Sequence, residues 1–171
     1  MFKYCPNCRT KLVHKVERLI DCKKCGFHFY LSPALTNGAI IENSKGEILL
    51  VRRKIDPKKG FWDTPGGFVE YGETFEESLI REVKEELGII ISNLKYLSSQ
   101  TDRYFYNGIN YHTICAFFKG NIDENKIVTD DDVDGFQFFP KNKIPYDKIA
   151  FEGVKKAIYS ISAFSSSDAI A

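Results

Sequence analysis

The chain has 171 residues, of which 43% are hydrophobic, and 24 Lys and Arg against 23 Asp and Glu give a formal net charge of +1. This composition suits one globular domain with a small appendage, and the balanced charge disfavours general DNA or RNA binding, so no nucleic-acid partner is expected. Since no apolar run approaches the roughly 20 residues that span a bilayer and no signal-peptide-like stretch opens the chain, we expect a cytoplasmic protein without membrane contact.

Four of the five cysteines form two Cys-x-x-Cys pairs near the N-terminus, Cys5 with Cys8 and Cys22 with Cys25, and thirteen residues separate the pairs. Each pair presents two thiolates from one tight turn, so the two pairs supply the four ligands of tetrahedral Zn²⁺. Disulfides are the alternative, but a reducing cytosol and the paired spacing argue against them. Residues 1–33 are too short to fold around a core alone, so we predict a zinc ribbon held by structural Zn²⁺.

Two strands are predicted after the ribbon, over residues 37–42 and 47–53, and an Asn-Ser-Lys-Gly turn joins them as a β-hairpin. Arg52 and Arg53 end the second strand. They are candidates for binding the phosphates of a substrate, although a solvent-facing strand end fits equally well. Trp62 in the next loop is a candidate for stacking on a substrate, with core packing as the more common role of such a residue.

A helix is predicted over residues 75–87, because Thr74 and Glu77 match a capping box and Gly88 suits a left-handed C-cap. Apolar side chains at helical spacing should anchor this helix on a core. These side chains are Leu79, Ile80, Val83 and Leu87.

Three carboxylates project from one face of the predicted helix, at Glu82, Glu85 and Glu86. Without a cation between them, these three charges would repel one another. Mg²⁺ and Mn²⁺ prefer oxygen ligands and commonly bridge protein carboxylates to substrate phosphates. The cluster therefore predicts a catalytic Mg²⁺ or Mn²⁺ site and phosphate chemistry, and a solvated acidic helix face is the alternative.

Two long paired strands are predicted downstream, over residues 94–106 and 109–119, because an Asn-Gly pair between them favours a type I′ turn. Tyr104 is a candidate pocket wall for a substrate ring, with sheet packing as the alternative. Cys115 lies in an apolar stretch and is expected to behave as a small buried hydrophobe.

The last third of the chain contains an acidic loop at residues 129–134 and a strand at 136–139. The loop could supply a further metal ligand or base, or it could simply be solvated. Apolar residues at helical spacing predict an amphipathic helix over residues 146–161. Residues 165–171 lack periodicity and are expected to form a disordered tail.

The segment from residue 67 to residue 89 matches the Nudix box, which is Gly, five residues, Glu, seven residues, Arg-Glu, an aliphatic, any residue, Glu-Glu, any residue, Gly and an aliphatic. The chain thus resembles the Nudix hydrolases. With the preceding ribbon it resembles the NADH pyrophosphatase group and related hydrolases of FAD and ADP-ribose. The matching residues are Gly67, Glu73, Arg81, Glu82, Val83, Glu85, Glu86, Gly88 and Ile89.

The resemblance implies an α/β fold for residues 34–164, namely the Nudix α/β/α sandwich with a mixed sheet. It implies that the three glutamates hold the metal, that the Gly67 carbonyl adds a ligand, and that Glu73 and Arg81 pair to fix the loop on the helix. The implied catalytic residues are the same three glutamates, with Glu85 or Glu86 as the general base.

The implied reaction is metal-dependent hydrolysis of the pyrophosphate bond in a nucleoside diphosphate derivative, such as NADH, FAD or ADP-ribose, to two monophosphates. The NADH-cleaving group carries Ser-Gln-Pro-Trp-Pro-Phe-Pro after the box, whereas residues 99–105 read Ser-Gln-Thr-Asp-Arg-Tyr-Phe. That departure shifts weight towards FAD, ADP-ribose and similar molecules. The alternative is a non-catalytic nucleotide sensor whose ribbon contacts protein or nucleic acid, and in either case the ribbon could serve a homodimer.

Overall fold

The computed structural model describes residues 2–13, 18–124, 127–129 and 132–164, with side chains described up to residue 161. The chain divides into two compact units, residues 1–33 and residues 34–171. The predicted tail at 165–171 lies outside the described residues. Within the described part, no helix combines the length and the apolar character needed to cross a bilayer.

The first unit contains a two-stranded antiparallel sheet, β1 (Leu19–Asp21) with β2 (His28–Tyr30). Among its described residues, two cysteines and two aliphatic residues are buried in a small core. These are Cys5, Leu12, Ile20 and Cys22. A core of this size is consistent with a unit that needs a staple to fold.

The described residues of the second unit form two three-stranded sheets, with six strands in all, and two α-helices. One sheet has the order β3-β7-β6 and is mixed, because β3 runs parallel to β7 while β6 runs antiparallel to it. The other sheet has the antiparallel order β5-β4-β8. The elements are β3 (Ala34–Ile41), β4 (Glu47–Arg53), β5 (Trp62–Asp63), α1 (Phe75–Leu87), β6 (Ser92–Tyr106), β7 (Ile109–Asn121), β8 (Val133–Pro140) and α2 (Glu152–Phe164).

Successive side chains of the central strands point to opposite faces of the sheet and contribute to two cores, one beneath each helix. In β3, Ala39 and Ile41 face the core that contains α1, whereas Ile40 between them faces the core that contains α2. In β7, Phe118 faces the core that contains α1, and Phe117 faces the core that contains α2. The predicted α/β/α sandwich with a mixed sheet is therefore confirmed.

Helix α1 begins and ends where the sequence predicts. Thr74 Oγ1 accepts a hydrogen bond from the Glu77 amide, the Glu77 carboxylate accepts one from the Thr74 amide, and Gly88 adopts a left-handed φ of 66°. Leu79, Val83 and Leu87 are fully buried, but Ile80 at the edge of the apolar face is 38% exposed. Packing of this face thus fixes which way the carboxylates of α1 point.

The predicted hairpin of β3 and β4 is wrong in its pairing. The turn forms, since the Asn43 amide donates to the Glu47 carbonyl at 3.0 Å, and Glu42 makes an isolated bridge to Ile48. Beyond it the strands separate into different sheets, because β3 pairs in parallel with β7. A strand partner more than 70 residues away in sequence carries no local signal.

The predicted C-terminal helix also starts too early, because α2 begins at Glu152 rather than near Tyr146. The Ala150 amide donates to the Trp62 carbonyl at 2.8 Å, and Ile149 bridges Trp62. The backbone at these positions thus bonds to β5 and is not free to form helical hydrogen bonds. The long β6–β7 hairpin matches the prediction, with positive φ at both Asn107 and Gly108.

Candidate active site

A cleft of ≈ 550 Å³ opens in the second unit between α1, the ends of β3 and β4, and the start of α2. The three predicted carboxylates all line it, together with the Gly-Gly loop that precedes the Nudix-box helix. These residues are Glu82, Glu85, Glu86, Gly66 and Gly67. The face of α1 next to its buried apolar side chains thus points into a cavity.

Glu86 is the most enclosed of the three carboxylates, with 8% of the residue exposed. Its Oε2 accepts a hydrogen bond from the Gly66 amide at 3.0 Å. Burial raises the pKa of Glu86 well above its ordinary value. A cation beside this carboxylate would compensate for the water that it has lost.

Glu82 lies against the backbone of Gly67. A Cβ placed on Gly67 would come within 2.5–2.6 Å of the Glu82 carboxylate atoms, so the loop approaches the helix as closely as a glycine permits. Burial raises the pKa of Glu82 above its ordinary value. Gly67 therefore leaves room for the Glu82 carboxylate at the cleft wall.

Arg81 joins the loop to the helix. Its Nε and Nη2 donate to the two oxygens of Glu73 at 2.7 and 3.0 Å, and Nη2 also donates to the Phe68 carbonyl at 3.0 Å. These bonds to Arg81 hold the pKa of Glu73 down at about 2. The pairing that the family resemblance implied is thus a bidentate ion pair.

Arg81 also reaches the candidate metal ligands. Its Nη1 donates to Glu82 Oε1 at 2.9 Å and to Glu85 Oε2 at 3.0 Å. Because one nitrogen reaches both carboxylates, the two side chains face a common point in the cleft. Among the described residues, the one group of His, Cys, Asp or Glu whose ligand atoms are gathered as for a metal ion is the four-cysteine cluster, with those atoms within 4.8 Å of one another.

The donor set on α1 suits a hard divalent cation, since it consists of carboxylate oxygens at the edge of a cavity large enough for a phosphate. Glu82, Glu85 and Glu86 would hold such an ion. The Gly67 carbonyl accepts a hydrogen bond from the Asn37 amide at 2.9 Å, and its second lone pair could serve as a ligand.

Asn37 is a site residue that the sequence did not reveal as functional. Its Oδ1 accepts from the Gly67 amide at 3.2 Å, and its Nδ2 donates to Ser78 Oγ at 2.8 Å. Ser78 Oγ donates in turn to the Phe68 carbonyl at 3.1 Å. This buried network ties β3, the glycine loop and α1 together. A polar residue within an apolar strand was the available signal.

A second charged group lies in the floor of the cleft. Arg53 Nη1 donates to Asp63 Oδ2 at 3.1 Å, Nε donates to the Pro57 carbonyl at 2.8 Å, and the guanidinium lies 5.2 Å from the Phe151 ring centroid. Burial raises the pKa of Asp63 to about 6, despite the opposing charge of Arg53. Three contacts therefore fix the direction of Arg53, a predicted substrate-binding residue.

Aromatic rings form the wall near α2. Tyr104 stacks on Tyr111 with ring centroids 5.3 Å apart, and it contacts Phe151 at 5.9 Å. Asp102, on the same strand as Tyr104, accepts hydrogen bonds from the Gly153 amide at 2.9 and 3.2 Å. The carboxylate thereby caps the first turn of α2 and holds the strand against it.

The remaining predicted residues lie in different surroundings. Arg52 pairs with Asp134 at 2.6 Å and Trp62 packs edge-on against Phe139 at 5.1 Å, so neither belongs to the described lining of the cleft. In the acidic loop Asp132 lines the cleft, whereas Asp130 and Asp131 lie outside the described residues.

Cys115 also lines the cleft, but it is not a reactive thiol. Burial raises the pKa of Cys115 to about 12, so at neutral pH the side chain is the protonated, weakly nucleophilic form. Its predicted role as a small apolar side chain agrees with this position.

The four ribbon cysteines converge within the first unit, with all Sγ atoms within 4.8 Å of one another. Cys5 and Cys25 Sγ lie 3.7 Å apart, and Cys8 and Cys22 Sγ lie 3.6 Å apart. Tetrahedral Zn²⁺ with Zn–S bonds of about 2.3 Å requires separations of about 3.8 Å, whereas a disulfide requires about 2.05 Å. The geometry therefore fits a closed zinc site and not disulfides.

Comparison with known protein families identifies the family to which the second unit belongs. A NUDIX domain model matches residues 33–159. The chain belongs to the NUDIX domain family.

Among the proteins similar to this chain are two relatives and one solved structure. It is 38% identical to an ADP-ribose pyrophosphatase of Methanocaldococcus jannaschii over 143 residues, which cover 82% of this chain and 79% of that protein. It is 32% identical to a NAD-capped RNA hydrolase, NudC, of Pseudomonas aeruginosa over 145 residues, which cover 84% of this chain and 49% of the relative. A NUDIX hydrolase from Nitrosomonas europaea matches with a TM-score of 0.67 at 23% identity, covering 92% of this chain and 88% of that one.

These relatives bear out the family resemblance seen in the sequence, and both sequence relatives carry hydrolase or pyrophosphatase names. The chain spans about half the length of the NudC relatives that it matches. The structural likeness concerns the fold alone. The roles of individual site residues and the oligomeric state stay predictions.

Proposed function

We propose that this protein hydrolyses the diphosphate bridge of a nucleoside diphosphate derivative to two monophosphates, with Mg²⁺ or Mn²⁺ as cofactor and ADP-ribose as the leading substrate. The observation that carries the proposal is the shared cleft, which Glu82, Glu85 and Glu86 line together with Arg53. A diphosphate is bound by a divalent cation and by a guanidinium. The cleft offers carboxylate ligands for the first and Arg53 as the second.

The chain is similar to an ADP-ribose pyrophosphatase, and the match covers 79% of the length of that relative. This similarity supports ADP-ribose over other derivatives. The departure of residues 99–105 from the NADH-cleaving signature points the same way. FAD, NADH and other dinucleotides or sugar nucleotides remain members of the proposed class. Tyr104 would form a wall for a ring of the substrate.

The residues would divide the chemistry between them. Glu82, Glu85 and Glu86 would hold a divalent cation, which would supply polarisation of the phosphoryl oxygens and neutralisation of the leaving phosphate. Arg53, held by Asp63 and Pro57, would bind a non-bridging phosphate oxygen. Glu86 is enclosed, and its carboxylate already accepts a hydrogen bond from the Gly66 amide. Glu85, whose side chain is 46% exposed, is better placed to take a proton from the attacking water.

Direct assay of hydrolysis tests the proposal. The full-length, zinc-loaded protein is incubated with ADP-ribose, FAD, NADH or nucleoside triphosphates, each with Mg²⁺ or Mn²⁺, and the products are separated by chromatography. We expect AMP and ribose 5-phosphate from ADP-ribose. The absence of metal-dependent products from every compound would overturn the proposal.

Substitution of single glutamates separates an enzyme from a nucleotide sensor. We expect Glu85→Gln and Glu86→Gln each to lower kcat by roughly 10²-fold or more, the scale of removing a residue that acts in the transition state. Glu76→Gln, on the exposed side of α1, is the matched control and should retain wild-type turnover. Ligand binding without turnover in the wild type would favour the sensor.

The ribbon is proposed to hold a structural Zn²⁺ through Cys5, Cys8, Cys22 and Cys25. The relatives called NAD-capped RNA hydrolases act, by that name, on RNA that carries NAD. The expectation that this protein has no nucleic-acid partner rests on its whole-chain charge alone.

A further inference from the structure

Charge is divided unevenly between the two units. Residues 1–33 contain 7 Lys and Arg against 2 Asp and Glu, a formal charge of +5, whereas residues 34–171 contain 17 against 21, a charge of −4. A Zn²⁺ ion with four thiolates would add −2, so the first unit would remain at +3. The near-neutral total therefore conceals a basic ribbon joined to an acidic domain.

The basic side chains of the ribbon are available to a partner. All six that the structure describes are exposed, and Asp21 is the one acidic residue among the described residues of this unit. Asp21 pairs with Lys23, so most of the positive charge is uncompensated within the described ribbon. The six are Lys3, Arg9, Lys11, Arg18, Lys23 and Lys24.

Exposed aromatic rings lie among these charges. Tyr4 is 59% exposed, Phe29 51% and Tyr30 53%, and every residue of β2 is exposed. Tyr4 and Lys11 are partners in an antiparallel β-bridge, which places the Tyr4 ring beside the Lys11 side chain. Tyr30 contacts His28 edge-on at 5.2 Å, so its ring is partly ordered before any partner binds.

We infer that the ribbon binds single-stranded nucleic acid, with its lysines and arginines on phosphates and with Tyr4, Phe29 and Tyr30 stacking on bases. Positive charge interleaved with exposed rings matches a polymer that offers both phosphates and flat π-faces. A phospholipid surface offers the charge but not the faces. This inference goes beyond the proposed function, because it assigns a polymeric partner to a unit that does not contain the cleft.

Binding is measured by fluorescence anisotropy with the full-length, zinc-loaded protein and a labelled 12-nucleotide oligouridine, without Mg²⁺ or Mn²⁺. If three to five phosphates are neutralised, the slope of log K against log salt should be about −2 to −4. Oligothymidine of the same length shows whether RNA is preferred over DNA, and either single strand supports the inference.

Matched variants locate the surface. Arg9→Gln, Lys11→Gln and Lys24→Gln together should weaken binding at least about tenfold and reduce the salt slope by about 2. The control removes three exposed lysines of the second unit, Lys45→Gln, Lys95→Gln and Lys143→Gln, and should stay within about twofold of wild type, because the footprint is on the ribbon. Zinc content is measured for each protein to verify an intact ribbon.

Aromatic variants test stacking separately from charge. Phe29→Ala with Tyr30→Ala should weaken binding at least about fivefold while leaving the salt slope unchanged, because stacking does not release counterions. An unchanged affinity would remove the stacking part of the inference.

Three results would overturn the inference: no oligonucleotide binding by the wild type, equal losses in the ribbon triple and its control, or binding to phosphatidylserine vesicles but not to either oligonucleotide. Hydrolysis of free ADP-ribose is measured in parallel and should be unchanged in the ribbon triple. If the wild type binds oligouridine but hydrolyses nothing, the proposed function fails and the inference stands.

Discussion

Gly67 and Glu82 are packed so closely that the space for a Cβ on Gly67 is occupied by the Glu82 carboxylate, whose atoms would lie 2.5–2.6 Å away. The glycine of the motif is thus required by its contact with a proposed metal ligand. Any side chain there must displace Glu82, the loop, or both.

Gly67→Ala is therefore expected to lower kcat/KM for ADP-ribose by about 10²-fold, the typical effect of moving a reacting group by about 1 Å. Gly135→Ala is the matched control, since a Cβ there would meet only the Arg52 side chain, at 3.7 Å. It should retain nearly full activity. Equal activity of both variants would show that the position of Glu82 is unimportant.

The Glu73–Arg81 ion pair predicts a pH-dependent contribution to stability. Because Arg81 depresses the pKa of Glu73 to about 2, the pair stabilises the fold fully above the ordinary pKa of 4.5. That stabilisation is lost as the pH falls from about 4.5 towards about 2. Glu73→Gln should thus lower Tm at pH 7, and its difference from wild type should shrink below pH 4.5.

Thermal unfolding of wild type and Glu73→Gln between pH 7 and pH 2.5 tests this prediction. Glu76→Gln serves as the control, because the structure describes Glu76 as an exposed residue of α1. A Tm difference between wild type and Glu73→Gln that stays constant over this range would contradict the assignment.

Asp63 is expected to act through Arg53 as a positioning residue. Asp63→Asn removes the charge that orients the guanidinium, so KM for ADP-ribose should rise about tenfold with a smaller change in kcat, as for loss of an interaction present throughout the reaction. Steady-state kinetics measure both constants. Asp147→Asn, on an exposed turn, is the control. An unchanged KM would show that Asp63 does not contribute to substrate binding.

Cys22 is buried at the centre of the proposed zinc site, and Cys22→Ala should abolish zinc binding. Since two of the four buried residues in the described part of the ribbon are zinc-site cysteines, residues 1–33 should then become sensitive to protease. Metal analysis of the wild type should give one Zn²⁺ per chain. Cys115→Ala removes a cysteine from the second unit and should leave zinc content unchanged; loss of zinc from both variants, or from neither, would contradict the site.

Local signals made some elements predictable. Thr74, Glu77 and Gly88 fix the ends of α1 by hydrogen bonds within a few residues, and the Asn107-Gly108 turn sets the register of β6 and β7. In each case the partners that decide the structure are close in the chain. The spacing of the ribbon cysteines is informative for the same reason.

Long-range pairing escaped prediction. Nothing near β3 indicates that it leaves β4 for a parallel partner in β7, and nothing near Tyr146 indicates that Ala150 bonds to Trp62. Likewise, Arg52 and Arg53 are neighbours in sequence, but the strand turns Arg52 to Asp134 and Arg53 into the cleft.

The sequence by itself determined the family, the helix with its three carboxylates and the four-cysteine cluster, because each depends on residue types at short, fixed spacings. Only the tertiary structure decided which further residues join them. Asn37, Asp63, Asp102 and Phe151 reach the cleft from separate elements. Their positions follow from packing two helices on opposite faces of shared strands, a property of the whole chain that no local pattern encodes.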